Sequence, residues 1–108
     1  MSFVVPLAPR DLEARLRSGD EFLVLDVRES EELAICALPG AVHLPLGELP
    51  ARLGELDPAR PTVCVCHHGI RSAYAAEFLA ENGFEALYNL SGGVDRWATE
   101  VDPGMRRY

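Results

Sequence analysis

The chain has 108 residues, which is enough for one domain and too few for two. Its formal net charge of −7 disfavours binding to nucleic acid or to an anionic membrane surface, because like charges repel. The same charge repels an anionic ligand at long range, so a site for such a ligand must depend on local hydrogen-bond donors.

The three cysteines, Cys36, Cys64 and Cys66, give an odd count that argues against a disulfide framework. Free thiols are typical of a reducing compartment. The first residues lack a basic region followed by a long apolar core, and no apolar run approaches the roughly 20 residues of a membrane span. We therefore expect a cytoplasmic protein that is not inserted in a membrane.

The first predicted elements are a strand and a helix. Residues 3–5 form a short apolar strand, and Pro9 suits the first position of a helix. Leu12 and Leu16 lie four residues apart, so they share one face of that helix. Gly19 then ends it, because glycine readily adopts the backbone conformation that follows a helix.

The apolar run at residues 22–25 predicts a strand that is buried on both faces of a parallel sheet. Ser30 is expected to cap a short helix after that strand, with acidic residues in its first turn. A Pro-Gly pair at 39–40 marks a turn before a short strand at 41–44. Leucines spaced three and four residues apart predict a short helix or turn over 46–53.

The second half of the chain predicts two more strands and two more helices. Residues 63–66 and 86–90 are the strands, and an alanine-rich helix between them extends to about Asn82. A Gly-Gly pair at 92–93 turns the last strand into the final helix. Five short strands that alternate with helices predict an α/β fold, with a central parallel sheet of about five strands and helices on both faces.

We expect a single domain over residues 1–108, with a tail that begins at about residue 101. The Pro-Gly pair at 103–104 marks that tail, since it cannot continue the final helix. The sequence contains no internal repeats and no low-complexity segments.

Cys66 stands where a strand ends and a loop leads into a helix. Ligands gather at the carboxyl ends of strands in open α/β folds. The amides of residues 67–72 belong to a turn and to the first turn of a helix, so they can hold negative charge together with the helix dipole. Gly69 suits a backbone with positive φ, while Arg71 and the histidines at 67–68 add cationic or donor groups. Cys66 is therefore the candidate nucleophile, because the thiolate is the reactive form of cysteine.

A metal site is the alternative use of these side chains. Cys64, Cys66 and the two histidines that follow offer soft and imidazole ligands, but structural zinc sites usually pair C-x₂₋₄-C with a distant second pair. The spacing here is C-x-C-H-H, so we expect no bound metal. A free cysteine is also often a small buried apolar residue, and we expect this of Cys64.

The sequence Cys-His-His-Gly-Ile-Arg-Ser at 66–72 resembles the active-site loop of single-domain rhodaneses, a cysteine followed by four residues and an arginine. Three further stretches resemble the same family: Asp-Val-Arg-Glu at 26–29, Leu-Pro-Gly-Ala-Val-His-Leu-Pro at 38–45, and Leu-Ser-Gly-Gly-Val-Asp-Arg-Trp at 90–97. Each match is short, but the four occur in the same order and spacing over most of the chain.

The resemblance implies the rhodanese-like three-layer sandwich and a thiosulfate sulfurtransferase that needs no metal or organic cofactor. The Cys66 thiolate would take the outer sulfur of a small anionic donor, thiosulfate or a persulfide, and pass it to cyanide, a thiol or a sulfur-carrier protein. A thioredoxin-like reductant is a further expected partner. By the same resemblance, the substrate-binding residues are His67, His68, Gly69, Ile70, Arg71 and Ser72. Asp26 and Arg28 are expected to support the loop.

The chain departs from the family pattern at Cys36 and Ala37. These residues stand where the family usually carries a glycine and a histidine, so the local geometry is expected to differ. Cys36 either packs as a small apolar residue or acts as a resolving thiol, and the sequence leaves both roles open.

Two other functions also remain open from the sequence. Cysteine-based phosphatases and arsenate reductases on a related fold place five residues between the cysteine and the arginine. This chain has four, and the tighter loop suits a sulfur atom better than a tetrahedral phosphate. The second alternative is a sulfur-relay module that binds a protein, because residues 35–39 and 43–46 resemble rhodanese domains fused to enzymes that adenylate sulfur carriers.

Overall fold

The computed structural model describes residues 3–108, which are built around a parallel sheet of five strands. The strands are β1 (Val4–Leu7), β2 (Leu23–Asp26), β3 (Val42–His43), β4 (Thr62–Val65) and β5 (Leu87–Leu90). They lie in the order β1-β5-β4-β2-β3, and every neighbouring pair is parallel. The predicted α/β fold with a parallel sheet of about five strands is therefore confirmed.

Helices cover both faces of the sheet, as the alternation of elements predicted. They are α1 (Pro9–Arg17), α2 (Ser30–Leu33), α3 (Leu49–Arg52), α4 (Ile70–Glu81) and α5 (Gly93–Glu100). Short 3₁₀ turns at Leu46–Glu48 and Leu53–Glu55 flank α3. One apolar layer contains α4 and the α3 region, and the other contains α1 and α5. Within residues 3–108, no helix combines the length and the apolar character needed to cross a membrane.

The central strands β2 and β4 are buried along their whole length. Their side chains alternate between the two apolar layers, so Leu25 and Cys64 pack toward α4, whereas Val63 packs toward α1 and α5. Cys64 is fully buried, and this burial raises the pKa of its thiol to about 12. The thiol is therefore uncharged at neutral pH, which agrees with the buried apolar role expected for Cys64.

The start of α2 differs from the prediction. Ser30 is the first helical residue, and Glu29 is the N-cap, so the prediction of Ser30 as the cap was wrong. The backbone amide of Glu29 donates to Oε1 of Glu32 at 3.1 Å. A glutamate three residues after the cap can reach back to that amide, which the periodicity of apolar residues does not reveal.

The turn between β5 and α5 packs against the backbone at the end of β4. The amide of Val94 donates to the carbonyl of Cys66 at 2.9 Å, and the amide of Asp95 donates to the carbonyl of His67 at 3.1 Å. Gly93 has a φ of +62°, and a Cβ at this position would collide with both carbonyl oxygens. Glycine at 93 is therefore what allows the first turn of α5 to hold the backbone that follows β4.

Replacement of Gly93 by alanine should lower the free energy of unfolding by roughly 2–4 kcal/mol, because the methyl group overpacks the loop and alanine disfavours positive φ. Urea unfolding measures this loss. The matched control is Gly54→Ala, since a Cβ at Gly54 would meet nothing within 4 Å and its φ is not positive. Similar stability of Gly93→Ala and Gly54→Ala would contradict the close packing at this turn.

Candidate active site

Cys66 follows β4 directly and opens the loop that leads into α4. Its Sγ accepts hydrogen bonds from the amide of Gly69 at 3.1 Å and from the amide of Ser72 at 3.3 Å. Gly69 is the N-cap of α4, and its φ of +96° is a conformation that favours glycine. Two amides of the loop thus point at one sulfur atom, at the helix N-terminus where the sequence predicted a cup of donors.

Asn89 on β5 ties this loop to the sheet. The hydroxyl of Ser72 lies 3.3 Å from Cys66 Sγ and donates to Oδ1 of Asn89 at 2.5 Å. Nδ2 of Asn89 donates to the carbonyl of Gly69 at 3.0 Å. One side-chain amide therefore fixes both residues that hold the sulfur. Asn89 was not among the predicted site residues. Its signal is an amide between apolar neighbours in a strand, because such a group needs partners when it is shielded from water.

Cys66 is only 1% exposed. Its sulfur is turned toward the loop amides, as expected for a nucleophile held by them, and the residue is almost completely shielded from solvent. Access to the sulfur therefore depends on the side chains that surround the loop.

Arg71 forms a bidentate ion pair with Glu32 of α2. Nη1 and Nη2 of Arg71 bind the two carboxylate oxygens at 2.6 and 2.8 Å. Hydrogen bonding from Arg71 lowers the pKa of Glu32 to about 2, with smaller help from the hydroxyl of Tyr108. Arg71 was expected to face a bound anion, but its charge is balanced by Glu32 in this structure. For Glu32 the sequence predicted only a place in the first turn of a short helix.

The pair of Arg71 and Glu32 should make stability depend on pH. The pKa of Glu32 is lowered from 4.5 in the unfolded chain to about 2 in the folded protein. The ion pair therefore contributes its full stability when the pH is above the unfolded pKa, and this contribution is lost as the pH falls through the folded pKa. Glu32→Gln should be less stable than the unchanged protein near neutral pH, and this difference should shrink as the pH falls from 4.5 to about 2. Thermal unfolding of both proteins across that range measures the effect. A difference that stays constant with pH would contradict it.

Asp26 and Arg28 form an ion pair at the end of β2, with both side chains fully buried. Nη2 of Arg28 lies 2.7 Å from Oδ2 of Asp26 and also donates to the carbonyl of Cys36 at 2.8 Å. Nη1 of Arg28 donates to the hydroxyl of Tyr108 at 2.9 Å. Burial alone would lower the pKa of Arg28, but the hydrogen bonds with Asp26 and Tyr108 outweigh it and raise that pKa. Arg28 thus joins β2 to the segments that contain Cys36 and Tyr108. The side chain of Cys36 packs against the apolar layer that contains α1 and α5.

Asp26→Asn should cost roughly 3–5 kcal/mol of unfolding free energy, because it leaves the Arg28 guanidinium as an uncompensated buried charge. Denaturant unfolding measures this cost. The matched control is Glu55→Gln, which breaks an ion pair with Arg52 whose side chains are 57% and 38% exposed. Exposed pairs contribute little, so the control should change stability only slightly. Equal losses in the two variants would contradict a supporting role for Asp26.

Residues 101–108 were predicted to form a tail, but they return to the loop. The ring of Tyr108 stacks on the ring of His67, with centroids 3.8 Å apart and an interplanar angle of 9°. The hydroxyl of Tyr108 donates to Oε2 of Glu32 at 2.6 Å. No signal in the sequence indicated Tyr108, because the contact depends on the path that the chain takes after α5 and no spacing rule connects residues so far apart.

The two histidines of the loop have different surroundings. Burial is the largest cause that lowers the pKa of His67, and the nearby His68 lowers it further. His67 therefore carries no charge at neutral pH. Its Nε2 is buried and has no hydrogen-bond partner among residues 3–108. The side chain of His68 is 58% exposed, with Nδ1 4.0 Å from Oδ2 of Asp95. Ile70 is also exposed, so the structure brings Cys66, Gly69 and Ser72 together while His68 and Ile70 face outward.

The candidate zinc ligands of the sequence do not converge. Cys64 lies in the core, whereas His68 faces solvent. In the described part of the chain, no group of three or more histidine, cysteine, aspartate or glutamate side chains is arranged as a metal site would require.

Comparison with known proteins gives a consistent picture. Residues 8–100 match the family described as the rhodanese-like domain. The chain is 34% identical over 87 residues to a protein named sulfurtransferase from Allochromatium vinosum, with 81% of each chain covered. It is 30% identical over 118 residues to the adenylyltransferase and sulfurtransferase MOCS3 of Arabidopsis thaliana, covering 94% of this chain and 25% of that protein. A rhodanese-like domain protein from Staphylococcus aureus has a similar structure, with a TM-score of 0.83, 28% identity and coverage of 97% and 99% of the two chains.

Proposed function

The chain belongs to the rhodanese-like domain family, and on that premise we propose that it moves sulfane sulfur from thiosulfate or a persulfide donor to a thiophilic acceptor through a persulfide on Cys66. The observation that carries the proposal is the convergence of the Gly69 and Ser72 amides on Cys66 Sγ. Hydrogen bonds to a charged acceptor are stronger than those to a neutral one, so these amides favour an anionic sulfur. The name of the relative from Allochromatium vinosum supports sulfur transfer as the general activity.

In the first half-reaction, the Cys66 thiolate attacks the outer sulfur of thiosulfate. A bond forms between the two sulfur atoms, the bond from the outer sulfur to the sulfite group breaks, and sulfite leaves with that electron pair. The outer sulfur of the new persulfide carries negative charge, which preorganised amides stabilise. With a persulfide donor, the donor's thiolate is the leaving group instead.

In the second half-reaction, the acceptor attacks the outer sulfur of the Cys66 persulfide. The sulfur–sulfur bond breaks, and its electron pair returns to Cys66 as a thiolate. Cyanide becomes thiocyanate, and a thiol acceptor becomes a persulfide. Both half-reactions are displacements at sulfur, so the cycle balances without an external oxidant or reductant.

Backbone amides, rather than arginines, hold the negative charge in this mechanism. Arg71 is balanced by Glu32, and Arg28 is balanced by Asp26. His67 is uncharged at neutral pH because its burial lowers its pKa. The donors next to the sulfur are therefore the loop amides and the positive end of the twelve-residue helix α4.

A sulfur-carrier protein or a thioredoxin-like reductant as the acceptor is the second candidate, which makes the chain a relay module. Two exposed apolar side chains support it: Ile70 and Tyr74, each 68% exposed, lie four residues apart on α4 beside the loop. Residues at this spacing share one helix face, so they offer a small apolar contact for a protein. The similarity to MOCS3 also favours a protein acceptor. Both routes use the same Cys66 persulfide.

Cys66→Ser should abolish thiosulfate:cyanide activity and the mass increase of one sulfur atom after incubation with thiosulfate. The hydroxyl of serine cannot form the persulfide, whatever the acceptor. The control Cys64→Ala should keep both properties, because Cys64 is buried and its pKa is raised to about 12. Activity assays and intact-protein mass spectrometry provide the measurements.

Sulfur loading that persists in Cys66→Ser would overturn this proposal. Hydrolysis of an aryl phosphate by the unchanged protein, without any turnover of thiosulfate, would instead favour a cysteine-based phosphatase or arsenate reductase.

A further inference from the structure

The segment 101–108 is attached at two points, one on the loop and one on α5 beside it. The first is Tyr108, whose ring stacks on His67 and whose hydroxyl donates to Glu32 and accepts from Arg28. The second is Arg107, whose Nε and Nη2 both donate to Oδ1 of Asp95, at 3.1 and 2.9 Å. Since the amide of Asp95 binds the carbonyl of His67, both attachments lie next to the residue that follows Cys66.

The loop has little freedom to open by itself. Asn89 holds Gly69 and Ser72, and the amide of Val94 holds the carbonyl of Cys66. Yet Cys66 is 1% exposed, whereas a displacement at sulfur requires a donor and then an acceptor to reach it. The segment 101–108 is held beside the loop by side-chain contacts, so it can move while the loop stays in place. Tyr108 is its contact with His67, the residue next to Cys66.

Release of Tyr108 leaves no charge unpaired. Glu32 keeps its bidentate pair with Arg71, and Arg28 keeps Asp26 and the carbonyl of Cys36. What must be given up are the ring stack, the two hydrogen bonds of the Tyr108 hydroxyl, and the hydrogen bond between the backbone of Tyr108 and the side chain of His67. Such an opening lies within the free energies at which proteins open locally.

We propose that Tyr108 is a specificity-determining residue: a small reactant reaches the sulfur of Cys66 through small shifts of the side chains around the loop, whereas Tyr108 must be displaced before a bulky acceptor can reach it. The proposal rests on the sulfur transfer proposed above, and it adds selection of the acceptor by size. A protein acceptor would bind only to the open form, so its reaction rate is reduced by the fraction of molecules that are open.

The test compares the unchanged protein with Tyr108→Ala, Tyr108→Phe and the control Phe3→Ala. Phe3 is an exposed aromatic residue before β1, at the opposite end of the strands from the loop. Two rates of alkylation at Cys66 are measured: one with iodoacetamide and one with a maleimide that carries a polyethylene glycol chain. Peptide mass mapping locates and quantifies the alkylated cysteine. Transfer of sulfur from the loaded protein is also measured, to cyanide and to a reduced thioredoxin.

Tyr108→Ala should raise the rates with the bulky maleimide and with thioredoxin about tenfold, and the rates with iodoacetamide and cyanide by less than about threefold, because only the bulky reactants need the open form. Tyr108→Phe keeps the ring on His67 but loses the hydroxyl contacts, so its rates should lie between those of Tyr108→Ala and the unchanged protein. Phe3→Ala should change neither the ratio of the two alkylation rates nor the ratio of the two sulfur-transfer rates.

Equal changes for small and bulky reactants in both Tyr108 variants, or no change in either variant, would overturn the proposal. The alkylation rates do not require sulfur transfer. If the unchanged protein cannot be loaded with sulfur, the proposed function fails while the size selection by Tyr108 is still decided by alkylation.

Discussion

Two backbone amides, those of Gly69 and Ser72, donate to the one sulfur atom of Cys66, and the surrounding contacts keep them there. The left-handed backbone at Gly69 turns the chain so that its amide points back at the sulfur. Asn89 fixes both donor residues from the neighbouring strand. From the other side, α5 binds the backbone that follows β4, at a turn where only glycine fits. The donors are therefore in place before any reactant arrives, which is the condition for electrostatic catalysis by preorganised groups.

The charged side chains beside the loop alternate in sign and neutralise one another, so they do not form a positively charged pocket. Asp26 pairs with Arg28, Arg28 and Glu32 share the hydroxyl of Tyr108, and Glu32 pairs with Arg71. Two arginines and two carboxylates cancel, in a protein whose net charge is −7. Attraction of an anionic donor over long distances is therefore weak, and the sulfur site acts through short-range hydrogen bonds. This arrangement also connects the sheet, α2 and the segment after α5.

The sequence predicted the parts of the site that are local in the chain. The strand before Cys66, the glycine at 69 and the helix that follows are neighbours, so strand and helix signals placed them correctly. Cys64 was also predicted correctly, because it lies within a continuous apolar run. These features depend on local propensity and burial, which a single sequence reveals.

The missed contacts are distant along the chain. Glu32 meets Arg71 across 39 residues, and Tyr108 meets Arg28 across 80. Composition and periodicity carry no information about such pairs, so Arg71 was expected to face an anion and the segment after α5 was expected to be a tail. The cap of α2 is a different case, because the contact is local. Serine is a common cap, so the sequence predicted this role for Ser30, but Glu32 reaches back three residues to the amide of Glu29 and Glu29 is the cap.

The most direct test of the account is amide NMR of the protein before and after Cys66 is loaded with one sulfur atom. If the loop amides hold the transferred sulfur, the proton shifts of Gly69 and Ser72 should change more than those of other residues, and cyanide should reverse the change. If these two amides keep their shifts while the protein gains the mass of one sulfur atom, the sulfur is held elsewhere and the account is contradicted.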